Sequence, residues 1–128
     1  MPVSSVIYKN QRLVVTVEEG FVAFADMWAN HDRLLGEPEF DSTFNQLSDA
    51  SLATGTDLTA EKVRTLFNRK VFSDTSRRAV VAPTEFTYGM ARMLQTYVEL
   101  SGFPSIVQVF RDRASALSWL GVSEDFLP

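Results

Sequence analysis

Ser76-Arg77-Arg78-Ala79-Val80-Val81-Ala82-Pro83-Thr84 reads as a strand delivered straight into a helix. The run Arg77–Ala82 is short and internally apolar, as expected of a strand covered on both faces. Pro83 stops it, because proline has no N–H to give to a sheet. Thr84 is a good N-cap for the longest helix, roughly Glu85 to Leu100. In that helix Phe86, Met90, Met93, Leu94, Tyr97 and Leu100 form one apolar stripe.

The same alternation extends in both directions. Downstream, Ser105 to Phe110 is a last strand. Asp112 then caps a final helix that holds Ala116, Leu117, Trp119 and Leu120 and ends at Gly121. Upstream, Thr59 caps a helix from about Ala60 to Phe72, with Leu58 meeting Val63 as a hydrophobic staple. Val63, Leu66, Phe67 and Val71 form its buried side, which turns its Lys and Arg residues outwards. Phe44 to Asp49 is a short strand, and Ala50 to Asp57 a small, polar loop marked by Thr54-Gly55-Thr56.

Gly20 opens a helix over Phe21–Leu35. Phe21, Phe24, Met27, Trp28, His31, Leu34 and Leu35 share one arc, Asp26, Asn30 and Arg33 lie opposite, and Gly36 is the C-terminal cap. Residues 3–9 and 12–18 form a hairpin around Asn10-Gln11. The order is β-β-α-β-α-β-α-β-α. It predicts an α/β fold with a single mixed, mostly parallel five-stranded sheet, the first strand antiparallel, covered by helices.

A length of 128 residues suits one domain, 1–128. The chain has no cysteine, which removes disulfides, thiolate metal sites and cysteine nucleophiles, and suits a reducing compartment. No apolar run approaches the roughly 18 residues of a transmembrane segment, and the start lacks a signal-peptide pattern. A cytoplasmic location is expected.

The net charge of −4 argues against general nucleic-acid binding. That average hides a basic stretch: Lys62, Arg64, Arg69, Lys70, Arg77 and Arg78 are opposed only by Asp74. Either a solvated face accounts for it, or it is an acceptor surface for an acidic protein partner or an anionic ligand. Tyr88 and Arg92, four apart on the outer side of the long helix, stack on each other or join an interface such as a homodimer's.

His31 is the only histidine. A Ser-His-Asp device would need it with Asp32 or Asp49, but there is no Gly-x-Ser-x-Gly elbow, and a metal site would lack a second imidazole. Its place in the apolar arc reads as a packed or capping histidine. Glu37, Glu39 and Asp41 read as a solvated loop without the calcium-loop pattern. Ligands in open α/β sheets bind beyond the carboxyl ends of strands, which puts Asp49, Ser51, Pro83, Thr84 and Arg111 at the rim of any pocket.

Four stretches carry a family likeness: Phe44-Asn-Gln-Leu-Ser-Asp49, Ser76–Pro83, Tyr88-Gly-Met-Ala-Arg92 and Val109–Gly121. With the order of elements, they resemble the bacterial SpoIIAA-like family of the STAS/SEC14 superfamily over nearly the whole chain. The resemblance implies a non-enzymatic role in binding or regulation; the residues themselves lead to an expectation of no cofactor and no metal. Its anti-sigma-factor antagonists are phosphorylated in an Asp-Ser-Ser/Thr-Gly motif. Here the stretch reads Ser48-Asp49-Ala50-Ser51-Leu52, without the double hydroxyl or the glycine, so Ser51 is the remaining candidate.

Three functions follow in order. The first is a regulatory module acting through protein contacts. The second is a carrier or sensor of a small hydrophobic or anionic, lipid-like ligand, its pocket lined by Phe24, Trp28, Met90 and Tyr97. The third is a hydrolase-type enzyme using His31 with Ser51 or Asp49.

Overall fold

The computed structural model describes residues 2–102, 106–123 and 125–126. Its elements are β1 (Val3–Tyr8), β2 (Leu13–Val22), α1 (Phe24–Leu35), β3 (Asn45–Thr56), α2 (Ala60–Asn68), β4 (Arg77–Val81), α3 (Glu85–Leu100), β5 (Ile106–Phe110) and α4 (Arg113–Leu120). The five strands form one sheet in the order β1-β2-β3-β4-β5, with β1 antiparallel to β2 and the other pairs parallel. This is the expected α/β fold. Ser105, the expected start of the last strand, lies outside the described residues.

The strand order fixes the layers. From β2 onward each crossover steps in the same direction, and right-handed crossovers in one direction place their helices on one face. The buried residues divide accordingly. Leu13, Val15, Leu47, Ala79 and Val81 pack under Ala116, Leu117 and Leu120 of α4. The opposite face meets α1, α2 and α3 through Val14 with Leu34, and through Leu58, Val63, Leu66 and Val98.

Three local expectations are corrected. Gly20 and Phe21 do not open a helix. They extend β2, with Gly20 at φ +67°, a left-handed conformation that suits glycine. The helix starts after Ala23, whose N–H donates to Asp26 Oδ2 (3.1 Å), while Phe24 N–H donates to Asp57 Oδ1 (2.8 Å). Residues 50–56 are not a loop but the second half of β3, paired with β2 through two register shifts. Finally, α2 ends at Asn68, and Lys70 at φ +54° turns the chain so that Val71 and Phe72 join the core beside Val14 and Phe44.

Candidate functional site

Alternation along β2 turns Val14, Thr16 and Glu18 towards the three-helix face, where Gln46, Ser48 and Ala50 of β3 and Arg78 and Val80 of β4 join them. Polar groups on this face are linked across the sheet. Arg78 Nε donates to Gln46 Oε1 (3.0 Å), and Gln46 Nε2 donates to Thr16 Oγ1 (2.9 Å). The Thr16 and Ser5 hydroxyls share a bond (2.8 Å), and Ser5 Oγ donates to Asn30 Oδ1 (3.0 Å). Asn30 is buried, against the expectation from the helical wheel, and its Oδ1 also accepts a long bond from Arg33 (3.5 Å).

Arg78 is the second correction to the surface picture. It was expected among outward-facing cations, yet it is half-buried, its guanidinium 4.7 Å from the ring centres of both Phe67 and Phe72. Burial pulls its pKa down to about 10, so it stays charged at neutral pH.

Beside it lies a cavity of about 100 Å³ between the sheet and α1, α2 and α3. Its walls are apolar, including Met27, Leu58, Val63, Leu66, Phe67, Met90, Leu94 and Val98, and its polar lining is Glu18, Gln46, Ser48, Arg78 and Gln95. Gln95 is spent on the Val107 carbonyl (2.9 Å). Glu18 and Arg78 are the charged groups of the lining, and among the described residues neither has an ion-pair partner within 4.0 Å. Burial, reinforced by the Asp49 charge and opposed by Arg78, pushes the Glu18 carboxyl up to about 7.

His31 sits behind Arg78, buried, with Nδ1 lacking a partner among the described residues. Burial, then the charges of Arg78 and Arg69, pull its pKa down to about 4 against the influence of Asp32. It is a neutral, packed imidazole at physiological pH.

The other sequence-predicted residues are dispersed. Asp49 points to the α4 face, where Oδ2 accepts from Arg113 (2.6 Å) and Oδ1 from the Ser51 hydroxyl (2.5 Å) and N–H (2.9 Å). The sheet thus separates Asp49 and Ser51 from His31. Thr84 exchanges capping hydrogen bonds with Thr87 at the start of α3, and Pro83 is exposed before it. Arg111 pairs with Glu85 (2.9 Å) and lies 4.0 Å from the Tyr88 ring centre, taking the face expected for Arg92, which is exposed.

The basic stretch is likewise divided. Lys62 pairs with Asp57 (3.5 Å), and Arg69 pairs with Asp32 while stacking on Trp28 (3.9 Å). Arg77 reaches the Trp119 carbonyl (2.7 Å), whereas Arg64 and Lys70 are exposed. Of the expected carrier residues Met90 lines the cavity, while Phe24, Trp28 and Tyr97 pack around it. Sequence reasoning missed Glu18. Its signal was its phase with Val14 and Thr16 along β2.

Among the described residues no helix is long and apolar enough to cross a membrane, and no three His, Asp or Glu side chains are grouped to hold a metal ion. No protein-family model matches the chain, and comparison with curated proteins gives no match. Among solved structures it is similar to an uncharacterised protein of the DUF3478 family with a SpoIIAA-like fold from Shewanella loihica PV-4. The two are 20% identical, with 92% of this chain and 91% of the other covered and a TM-score of 0.57. The fold is therefore SpoIIAA-like.

Proposed function

We propose that this chain is a non-enzymatic binding protein that takes a small amphipathic ligand into the cavity beneath α2 and α3. The observation carrying this reading is a pocket with apolar walls in which two charged groups, Glu18 and Arg78, have no ion-pair partner. Buried charges are ordinarily paired, so an unpaired pair of sites in an apolar pocket fits a ligand's head group. The volume of about 100 Å³ is below the roughly 150 Å³ of a closed cavity that holds benzene, but this cavity is open on one side, so a single ring or a short chain seats with one end at the mouth.

Two methionines make the test specific. Met27 and Met90 line the cavity, whereas Met93 is exposed. Titration of methyl-labelled protein with benzyl alcohol and hexan-1-ol should shift the Met27 and Met90 methyl resonances and leave Met93 in place. Shifts confined to Met93 would end this reading.

A second reading, a module acting through protein contacts, is supported by one feature of the opposite face. Val6, Phe21 and Leu52 are 55%, 57% and 62% exposed on the side of β1, β2 and β3 that α4 leaves open. Self-association is the simplest such contact. Sedimentation of the wild type beside Phe21→Ser/Leu52→Ser tests it, and a monomer in both counts against it.

A further inference from the structure

Resting on the cavity reading above, we infer that the ligand is a small monocarboxylate, its carboxylate held by Arg78 beside the Glu18 carboxyl. The geometry of Arg78 comes first. Its Nε is spent on Gln46, and the Phe67 and Phe72 rings hold the guanidinium plane. The terminal N–H donors have no protein acceptor among the described residues. A planar, fixed fork of this kind matches a carboxylate through two parallel hydrogen bonds.

Charge decides the sign of the ligand. The lining contributed by α1, α2 and α3 is uncharged, so the cavity's charge is that of Glu18 on β2 and Arg78 on β4. The groups acting on Glu18 are Asp49 of β3 and Arg78, and those acting on His31 behind Arg78 are Arg69, Asp32 and Arg78 itself. With Glu18 holding its proton the cavity carries one uncompensated positive charge. A single anion neutralises it, and the Glu18 O–H supplies the donor that a second carboxylate oxygen requires. Once Glu18 ionises, the same carboxyl repels the ligand. Binding is therefore coupled to uptake of one proton.

The experiment compares benzoate, benzyl alcohol and benzylamine by isothermal titration and Met27/Met90 methyl shifts, between about pH 6 and pH 8.5. Benzoate is expected to bind at least about tenfold more tightly than the alcohol at the acid end, as charge-assisted hydrogen bonds require. Its affinity should weaken about tenfold per pH unit above the titration of Glu18. Glu18→Gln should flatten that dependence while retaining benzoate binding. Arg78→Met should lower benzoate affinity about tenfold or more and leave the alcohol unchanged. Should Arg78→Met fail to fold, the wild-type pH series and Glu18→Gln decide. Alcohol bound as well as benzoate, tighter benzylamine, or pH-independent benzoate binding overturns the carboxylate assignment while leaving the cavity reading intact. Unmoved Met27 and Met90 with every probe overturns both.

Discussion

Gln46 holds Arg78 across the β3–β4 pair: the two are direct neighbours in the sheet, and Nε lies 3.0 Å from Oε1. The same amide passes the connection on to Thr16 and, through Ser5, to Asn30 of α1. One glutamine therefore orients a half-buried cation and links it to a helix three strands away. Replacing Gln46 by leucine would leave both the Arg78 Nε and the Thr16 hydroxyl short of a partner. A loss of about 1–3 kcal/mol is expected, measured by urea unfolding.

Stability should respond to pH through two groups of opposite sign. Glu18 is raised from 4.5 to about 7, so the folded chain binds more protons in that interval and stability falls as pH rises through it. His31 is lowered from 6.5 to about 4, so the unfolded chain binds more protons there and stability falls as pH drops. Between about pH 4.5 and 6.5 the slopes oppose one another and the wild type should be nearly level. Denaturation series should show Glu18→Gln gaining stability up to about pH 6.5 and then levelling. In His31→Gln, stability should decline steadily from about pH 4.5 to 7.

Ala91 is buried on α3 and lines the cavity. Ala91→Leu places three more carbons in that space. Thermal unfolding should show a gain of about 0.5–2 kcal/mol, the usual return for filling a cavity. The same variant should lose the Met27 and Met90 response to every probe.

Asp49 fastens α4 to the sheet through Arg113 and folds the β3 bulge through Ser51. Burial works to raise its pKa, but the bonds from Ser51 and Arg113 outweigh it and hold the carboxyl below its ordinary value. Its contribution is thus present at neutral pH and lost as pH falls through the acidic range. Asp49→Ala should cost about 1–3 kcal/mol and hasten amide exchange in α4, read by hydrogen exchange.

The parallel sheet was legible because Arg77–Thr84 and its relatives place buried strands directly against helix caps, a pattern written in adjacent residues. The far half of β3 was not. Thr54-Gly55-Thr56 has turn chemistry, and only pairing with an equally long β2 makes it a strand; Gly55 there lies beneath the Phe21 ring, 3.2 Å from where its Cβ would be. Phe21 fitted a helical stripe and a strand equally, and the glycine before it chose the strand. The cavity was hidden for a related reason. Glu18 and Arg78 come from strands separated by β3, so no local spacing joins them. Arg78, standing beside Arg77 at the start of a short apolar run, reads as surface until aromatic rings from α2 and the following turn are brought over it.

Asp57 stands where β3 ends, receiving the first N–H of α1 on one oxygen and the Lys62 ammonium of α2 on the other (3.5 Å). Two helices thus share an anchor at the tip of the ribbon, while at their opposite ends Arg69 pairs with Asp32 and lies against Trp28. The wall over the cavity is therefore tied at both ends, by a shared carboxylate at one and by a guanidinium laid on an indole at the other, so α1 and α2 bear on the chamber as one unit.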